Sequence, residues 1–249
     1  MVKFDICGNI GVILLNRPEK RNALIPEMIA QLTEKLKQAE TDNKIKVLII
    51  SGEGSSFCSG ADLDYLNKIK DYSIIENTRD SQNLANLFIK IYNFPKPTIA
   101  AVNGAAIAGG CGIATVCDFI IADRDKSKFG YTEVKIGFIP AIVSTFLIRK
   151  IGEGKARQLL ISGDIINSAE AKEIGLVNYL ADDAFKEAKD FAQKLLKNSS
   201  DSMNETKKLI NKAADLSILE AVNYSINMNS ITRTTKDFRE GINNFINKK

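Results

Sequence analysis

Short apolar runs alternate with longer amphipathic segments through the first 140 residues of this chain. The apolar runs have the composition of buried strands and cover residues 2–5, 11–15, 46–51, 98–102 and 119–122. Gly8 and Asn9 separate the first two runs and predict a hairpin. Apolar positions recur at helical spacing over 24–39 and near 82–92. Apolar strands joined by helical crossovers predict an α/β fold with a mostly parallel sheet that is covered on both faces.

From residue 142 onward the pattern is almost entirely helical, apart from a strand-like run at 176–179. The apolar positions of this part form two stripes, which are Phe191, Leu195, Leu196, Leu209 and Ile210, and then Ile218, Leu219, Val222 and Ile226. The stripes are larger than a modest appendage would bury by itself, so they need a further surface to cover. We therefore divide the chain into a core over residues 1–190 and a C-terminal helical region over residues 191–249.

Two loops of small residues, 54–63 and 103–112, each follow a strand-like run and precede a helix-like one. Small residues let the backbone approach a ligand closely, and unpaired N–H groups can then hold an anion. Where both loops contact an oxygen that gains charge during reaction, they form an oxyanion hole, and loss of one donor typically costs roughly a hundred- to a thousand-fold in rate. A nucleoside triphosphate loop is excluded because Gly110 and Cys111 replace the required Lys and Ser/Thr, and a dinucleotide fingerprint fails at Thr115.

Composition removes several kinds of chemistry. The 249 residues include 34 basic and 30 acidic side chains, a net charge of +4, and no histidine. Histidine-based nucleophilic catalysis and histidine-ligated zinc are therefore excluded, and no metal is expected. The cysteines lack the C-x-x-C spacing and are expected to be reduced: they are Cys7, Cys58, Cys111 and Cys117. Without a signal pattern or a run of membrane-spanning length, a cytoplasmic location is expected.

Three motifs occur in a fixed order: FCSGADL at 57–63, KPTIAAVNGAAIAGGCGIATVCDF at 96–119 and FGYTEVKIGFIP at 129–140. Together they resemble the signature of the crotonase (enoyl-CoA hydratase/isomerase) superfamily, and the resemblance runs nearly from end to end. It implies a spiral of ββα turns with a C-terminal helical trimerisation region, and trimers that often pair into hexamers. It also implies an acyl-CoA thioester substrate. No separate cofactor is expected, because CoA is part of the substrate.

The resemblance also assigns roles to individual positions. The backbone N–H groups of Ala61 and Gly109 match the two oxyanion donors, and Glu133 matches a catalytic glutamate, although its local pattern alone is that of a surface residue. Substrate or CoA contacts are expected at Lys20, Arg21, Ala23, Ser59, Asp62, Leu63, Gly110, Gly112, Phe245 and Lys248. Lys20 and Arg21 would face the CoA phosphates, and Phe245 and Lys248 would face the adenine end of CoA. An ordinary role as solvated charges explains the first pair equally well, and a frayed C-terminus explains the second. The mild basic excess is too diffuse to indicate nucleic acid, although some methylglutaconyl-CoA hydratases of the family bind RNA.

Gly112 departs from the pattern of two-glutamate hydratases, which carry their first catalytic glutamate at this position. Three interpretations remain. A hydratase could use Glu133 together with a water held in the space at Gly112, as the resemblance to methylglutaconyl-CoA hydratases implies. An isomerase could use Glu133 alone to move a double bond between the Δ3 and Δ2 positions. A non-catalytic homologue could bind acyl-CoA or a protein partner. Hydration is the preferred interpretation, and we expect Gly112→Ala to intrude on that water while stabilising the helix.

Overall fold

The computed structural model describes residues 1–247. The strands are β1 (Val2–Cys7), β2 (Ile10–Leu15), β3 (Val47–Gly52), β4 (Ser56–Cys58), β5 (Thr98–Val102), β6 (Ala105–Ile107), β7 (Phe119–Asp123), β8 (Lys128–Gly130), β9 (Ile165–Asn167) and β10 (Tyr179–Ala181). The helices are α1 (Pro26–Thr41), α2 (Leu63–Ile69), α3 (Ile74–Tyr92), α4 (Gly109–Thr115), α5 (Ala141–Ile151), α6 (Glu153–Ser162), α7 (Ser168–Glu173), α8 (Ala184–Leu195), α9 (Ser200–Ala213), α10 (Ile218–Thr232) and α11 (Lys236–Ile246). Two short 3₁₀ turns cover Pro18–Lys20 and Glu133–Ile136.

Two sheets form the centre of the fold. The larger sheet has the strand order β1-β2-β3-β5-β7-β10, in which β1 and β2 are antiparallel and the following neighbours are parallel. The smaller sheet has the order β4-β6-β8-β9, with β8 and β9 antiparallel. The predicted parallel sheet is therefore present, and a second sheet of three-residue strands lies beside it.

Successive strands alternate between the two sheets. β3, β5 and β7 join the larger sheet, whereas β4, β6 and β8 join the smaller one, and a helix or 3₁₀ turn follows each pair. This repetition is the spiral of ββα turns that the sequence motifs predict, so the predicted fold class is confirmed. Because β4 and β6 are parallel neighbours and a helix follows each of them, the spiral brings two strand-to-helix loops to the same edge of the smaller sheet.

The local sequence explains the first elements. The hairpin of β1 and β2 turns at Gly8, whose φ of 63° lies in the left-handed region that glycine adopts without strain. Pro26 occupies the first turn of α1, where the lack of an N–H costs nothing. The apolar residues spaced along α1 are buried in the core: they are Met28, Ile29, Leu32, Leu36 and Ala39.

The predicted boundary between residues 190 and 191 falls inside α8 and is wrong. Ala184, Ala188 and Ala192 of this helix are buried in a cluster that includes residues of the larger sheet. Phe191 packs against Phe119, with ring centroids 4.9 Å apart. The first of the two predicted apolar stripes is therefore partly covered within the protomer, and the core extends to the end of α8.

The second predicted stripe remains uncovered. α10 buries no residue, and Ile218 and Leu219 are 82% and 78% exposed. Val222 and Ile226 continue the exposed apolar face along the helix. Within residues 1–247, no helix combines the length and apolar character that crossing a bilayer requires.

Candidate active site

The first donor loop joins β4 to α2. The Leu24 N–H donates to the Gly60 carbonyl at 2.7 Å, and the Leu24 carbonyl accepts from the Asp62 N–H at 3.0 Å. These bonds fix the backbone on both sides of Ala61. The Ala61 N–H itself has no hydrogen-bond partner among the described residues. A fixed but unpaired N–H is a donor that a ligand oxygen can use without reorganisation of the loop.

The second donor loop joins β6 to α4 and lies directly against the first. Gly109 opens α4, so its N–H has no acceptor within the helix and makes no other hydrogen bond in the described part of the chain. A Cβ built on Gly60 would lie 3.0 Å from the Ala108 Cβ and 3.7 Å from the Gly109 nitrogen. A Cβ on Gly110 would lie 2.2 Å from the Cys58 carbonyl oxygen. Glycine at these positions therefore permits the close contact that brings the two donors together.

Ala108 holds the second donor in an unusual backbone conformation. Its φ of 48° and ψ of −124° belong to a region that residues with a side chain rarely adopt. The Ala108 N–H donates to the Gly130 carbonyl at 2.7 Å, which anchors the residue to β8. The N–H of the next residue, Gly109, takes no part in the hydrogen bonds of the sheet.

An ion pair between Arg17 and Asp62 supports the first donor loop. Arg17 Nη1 donates to Asp62 Oδ2 at 2.7 Å and to the Ala23 carbonyl at 3.2 Å. Asp62 Oδ1 caps α2 by accepting from the N–H groups of Asp64 and Tyr65. Burial raises the pKa of Asp62, but the Arg17 and backbone hydrogen bonds outweigh it and hold the pKa below its ordinary value. The Asp62 carboxylate is thus fully used within the protein, and the prediction that it contacts the substrate is replaced by a supporting role.

Asn22 is a second supporting residue that the sequence analysis did not identify. It is fully buried, and its Nδ2 donates to the carbonyls of Glu53 and Ser56 at 2.9 and 2.8 Å. Its Oδ1 accepts from the Arg17 N–H at 2.8 Å. The only feature of the sequence that could have identified Asn22 as a supporting residue is its amide side chain within the highly charged segment 16–24.

Glu133 lies in the 3₁₀ turn that follows β8, the strand that pairs with β6 of the second donor loop. Its Oε2 atom is buried and has no hydrogen-bond partner among the residues that the structure describes. Burial raises the pKa of the Glu133 carboxyl above its ordinary value. Burial also raises the pKa of the Cys111 thiol to about 12, and the Glu133 charge adds to this shift, so the carboxylate is close enough to Cys111 of α4 to interact with it electrostatically. A half-buried carboxylate with raised proton affinity and one buried, unpaired oxygen has the properties of a general acid/base.

The space expected at Gly112 is filled by a side chain. A Cβ built on Gly112 would lie 2.4 Å from Cζ and 2.7 Å from Cε2 of Phe88. The Phe88 ring comes from α3 and is 1% exposed, and it packs edge-on against Phe146 at 6.4 Å between ring centroids. The hypothesis that a catalytic water occupies this space is therefore wrong, because Gly112 faces the apolar core. The prediction that Gly112 contacts the substrate fails for the same reason.

The remaining predicted CoA contacts lie in the loop before α1, next to the first donor loop, or in the C-terminal part of the chain. Lys20 is exposed and its Nζ lies 3.1 Å from Asp64 Oδ2, and Arg21 is exposed in a left-handed conformation with φ of 50°. Ala23 is buried, Ser59 donates its N–H to the Arg21 carbonyl, and Leu63 is 76% exposed. Phe245 belongs to α11, and Lys248 lies outside the described residues.

The buried cysteines are unsuited to nucleophilic catalysis. Burial raises the pKa of the Cys58 and Cys117 thiols to about 12, as it does for Cys111. A thiol with such a pKa stays protonated at neutral pH, and the thiolate is the nucleophilic form. Glu133, in contrast, has a raised pKa and an oxygen that is buried without a hydrogen-bond partner among the described residues.

Comparison with known proteins agrees with this geometry. Residues 5–249 match the family of enoyl-CoA hydratases/isomerases. The chain is 40% identical over 244 residues to a Thermus thermophilus protein whose name assigns it provisionally to the enoyl-CoA hydratases, with 97% and 96% of the two chains covered. It is 30% identical over 241 residues to the 2,3-dehydroadipyl-CoA hydratase of Escherichia coli, with 96% and 92% covered. The crystal structure of an enoyl-CoA hydratase from Shewanella pealeana matches with a TM-score of 0.95 at 28% identity, covering 100% of this chain and 94% of the other.

The chain belongs to the enoyl-CoA hydratase/isomerase family. The match covers almost the whole chain, and the relatives match over nearly their full length, so the family assignment applies to both the spiral core and the C-terminal helices. The resemblance seen in the three motifs is thereby confirmed, and with it the expectation of an enzyme of the enoyl-CoA hydratase type.

Proposed function

We propose that this protein is a hydratase that adds water across the double bond of a 2-enoyl-CoA thioester. The observation that carries the proposal is the Glu133 carboxylate, whose Oε2 atom is buried and unpaired among the described residues and whose charge acts on Cys111 of α4. The first residue of the same helix, Gly109, offers an unpaired N–H, and the Ala61 loop lies against it. The site thus combines two hydrogen-bond donors for an oxygen with one proton-transfer group, and the names of the relatives point to enoyl-CoA hydration.

The two N–H groups stabilise the charge that develops on the thioester oxygen. When the oxygen of water bonds to the β-carbon, the electron pair of the double bond moves toward the carbonyl and leaves an enolate. Donors that are fixed before the reaction stabilise this charge without reorganising, which is commonly a large part of the rate enhancement. The contact between Gly60 and Ala108 fixes the spacing of the two loops in this protein.

One carboxylate is sufficient for the proton transfers of hydration. Ionised Glu133 accepts a proton from the water molecule as its oxygen bonds to the β-carbon. The resulting carboxylic acid returns that proton to the α-carbon as the enolate collapses, so both parts of one water are added and the carboxylate is regenerated. This path needs no group at Gly112, which agrees with the position of the Phe88 ring. The raised pKa helps, because the carboxyl must both take up and release a proton near neutral pH.

Isomerisation of a 3-enoyl-CoA to the 2-enoyl isomer is the second candidate. The specific observation in its favour is that position 112 offers neither a side chain nor space for water. In this reaction Glu133 removes a proton from the α-carbon and returns it to the γ-carbon, and no water takes part. The same two N–H donors would stabilise the intermediate enolate.

A direct assay separates these reactions. The purified protein is given crotonyl-CoA and a 3-enoyl-CoA in separate experiments, and the conjugated-thioester absorbance and the product mass are recorded. A gain of one water identifies hydration, and a shifted double bond at constant mass identifies isomerisation. We expect Glu133→Gln to lower turnover by roughly a hundred-fold or more and to leave acyl-CoA affinity within a few-fold. The matched control is Glu153→Gln on α6, where the side chain is exposed and paired with Arg157.

A non-catalytic homologue is a third outcome of the same assay. Tight binding of an acyl-CoA without turnover of either substrate would contradict both enzymatic proposals. Near-normal turnover by Glu133→Gln would contradict the role of this carboxylate but leave the oxyanion donors as a separate question.

Oligomer formation and CoA contacts belong to the same proposal. The exposed apolar face of α10 supports assembly into a trimer, or into a hexamer of two trimers, because such a face is unfavourable in water.

The exposed Lys20 and Arg21 near the first donor loop are the basic groups that we propose for binding the CoA phosphates. Light scattering and the affinity of charge-neutralised variants for CoA test these two statements separately.

A further inference from the structure

Tyr131 is a buried tyrosine that lies two residues before Glu133 and has no part in the reaction proposed above. Its side chain is fully buried and is among the largest in the core. A buried hydroxyl needs a hydrogen-bond partner, because an unpaired polar group is unfavourable away from water. The partner is the hydroxyl of Thr115, the last residue of α4, with 2.6 Å between the two oxygen atoms. This contact joins the segment that carries Glu133 to the helix that begins with Gly109.

The hydrogen bonds around Thr115 show which of the two hydroxyls donates. Thr115 Oγ1 donates to the Cys111 carbonyl at 2.8 Å, and a hydroxyl has only one proton to donate. The Tyr131 hydroxyl therefore donates to Thr115 Oγ1. Burial raises the pKa of Tyr131 well above its ordinary value, so this proton is present throughout the pH range of an enzyme assay.

The segment that contains Tyr131 also contacts α4 at the other end of the helix. The Gly130 carbonyl accepts from the Ala108 N–H at 2.7 Å, directly before the Gly109 donor. Two consecutive residues, Gly130 and Tyr131, thus hold α4 just before its first residue and at its last. These contacts are about 10 Å apart along the helix axis. A single contact would leave the segment free to pivot on the helix, whereas two contacts fix its orientation.

The end of α4 that Tyr131 contacts is itself anchored. Lys150 Nζ, from α5, donates to the carbonyls of Thr115 and Cys117 at 3.0 and 2.6 Å. These bonds hold the last turn of α4 independently of Tyr131. The helix is therefore the fixed partner, and the Tyr131 hydroxyl holds the neighbouring segment against it.

The position of Glu133 depends on this segment. Only Thr132 separates Tyr131 from Glu133, which begins the following 3₁₀ turn. Burial is the main cause of the raised pKa of Tyr131, and the Glu133 charge adds to it, so the two side chains interact. A shift of Tyr131 relative to α4 would therefore move the Glu133 carboxylate relative to the Gly109 N–H.

We propose that Tyr131 is a positioning residue for catalysis: its hydrogen bond to Thr115 holds the Glu133 carboxylate at a fixed position relative to the Gly109 N–H. The inference rests on the proposed function, because it concerns the proton transfer that Glu133 is proposed to perform. In the substrate, the thioester oxygen and the α-carbon are separated by a short and rigid group of atoms. The protein groups that act on them need a matching separation, and a misplacement of about 1 Å can cost roughly a hundredfold in rate.

The main test is Tyr131→Phe, which removes the hydroxyl and keeps the ring that fills the core. Thr115 keeps its own acceptor in this variant, the Cys111 carbonyl, so no buried donor is left unpaired. We expect kcat to fall by roughly tenfold on crotonyl-CoA or on the 3-enoyl-CoA, whichever the wild type turns over. KM and the affinity for butyryl-CoA, a saturated and unreactive probe, should stay within about twofold, because the N–H donors are unchanged.

Variants of Thr115 test the same hydrogen bond from the other side. Thr115→Ser keeps the hydroxyl and should retain kcat within about twofold, whereas Thr115→Val removes it at nearly constant size and should lose kcat as Tyr131→Phe does. The matched control is Ser51→Ala. Ser51 is buried, and its Oγ donates to the Ala101 carbonyl at 2.7 Å, between β3 and β5. This control removes a buried hydroxyl bond that does not involve α4, and it should leave kcat and KM unchanged.

A double variant shows whether Tyr131 acts through Glu133. Glu133→Gln removes the proton-transfer group, so Tyr131→Phe has nothing left to position in that background. We therefore expect the double variant to keep the residual turnover of Glu133→Gln. A loss of fold or of the N–H donors would instead lower that residual turnover further.

The outcomes separate this inference from the proposed function. If Glu133→Gln retains near-normal turnover, the proposed role of Glu133 is wrong, and the positioning role is wrong with it. If Glu133→Gln is impaired but Tyr131→Phe has wild-type kcat, the role of Glu133 stands and the positioning role is overturned. Equal losses from Tyr131→Phe in the wild-type and Glu133→Gln backgrounds would also overturn it. If Tyr131→Phe fails to fold, equal turnover of Thr115→Ser and Thr115→Val would overturn it, and the expected difference between them would support it.

Discussion

Replacement of Gly112 by alanine tests the contact between α3 and α4 most directly. In an open helical position this change would stabilise the protein by about 1 kcal/mol, because glycine disfavours the helix. Here the new Cβ would lie 2.4 Å from Phe88 Cζ, whereas ordinary van der Waals contact begins near 3.4 Å. The ring would have to withdraw by about 1 Å. It is 1% exposed and packed against Phe146, so it has no free space to enter.

The expected net effect is a loss of stability. Overpacking of a filled core costs about 1–3 kcal/mol, which exceeds the gain in helix propensity. We therefore expect Gly112→Ala to lower the free energy of unfolding by about 1–2 kcal/mol, which for a chain of this size corresponds to a melting temperature lower by about 2–8 °C. Urea denaturation and thermal melting at matched protein concentration measure the change.

A double-mutant cycle identifies the cause. Phe88→Leu removes the ring edge that the new methyl group meets, so we expect the two substitutions together to be less destabilising than the sum of the single changes, by about 1 kcal/mol or more. Gly154→Ala is the matched control: Gly154 lies in α6, and a Cβ there would have no atom within 4 Å. The control should be neutral or stabilising. A Gly112→Ala protein that is more stable than wild type, or one that loses hydration selectively while isomerisation persists, would refute the packing argument.

Four further changes have defined outcomes. Burial raises the pKa of the Glu133 carboxyl above 4.5, so the folded protein binds this proton more tightly than the unfolded chain does. The stability that this proton contributes is complete below pH 4.5 and is lost as the pH rises through the raised pKa. Glu133→Gln should therefore melt at a higher temperature than wild type at pH 7, and the difference should shrink toward pH 4.5. Ala108→Gly should raise stability by about 1 kcal/mol in urea titrations by relieving strain, and a loss would contradict this account. Arg17→Met leaves Asp62 without its partner and should cost about 1–3 kcal/mol, with partial recovery in Arg17→Lys. Wild type should scatter light as a trimer or hexamer and Ile226→Asp as a smaller species; a monomeric wild type would rule out the assembly.

The strands of the larger sheet could be read from the sequence because their signal is local. β5 covers the predicted residues 98–102, β3 is shifted by one residue from the predicted 46–51, and β7 extends one residue beyond the predicted 119–122. The predicted strand at 176–179 is shifted toward the C-terminus, where β10 covers Tyr179–Ala181. The three-residue strands β4, β6, β8 and β9 were missed as strands. Strands this short carry too few residues to show an alternating pattern, and their pairing partners are distant in sequence.

The two donor loops were predictable for a related reason. They present unpaired backbone N–H groups at strand-to-helix junctions, and such loops have a composition of small residues that is visible in a short stretch of sequence. The supporting ion pair was not visible, because Arg17 and Asp62 are 45 residues apart and lie among many other charged residues. The resemblance to the family fixed the position of Glu133, whereas only the structure shows that its oxygen is buried and unpaired.

Gly112 shows why a missing side chain is ambiguous in sequence. A glycine in place of a larger residue predicts an open space only if the neighbours stay where they are, and the sequence does not record the neighbours. In this protein the ring of Phe88 occupies the space, although Phe88 is 24 positions earlier and on another helix. Glycine at position 112 therefore lets the ring pack against α4, and no room for water is left. The proposed mechanism follows from that contact: with position 112 closed, we propose Glu133 as the acid/base of the site, and hydration and isomerisation can each proceed with this one carboxylate. The choice between them then depends on whether a water molecule can reach the β-carbon from the side of Glu133, which the mass of the product reports directly.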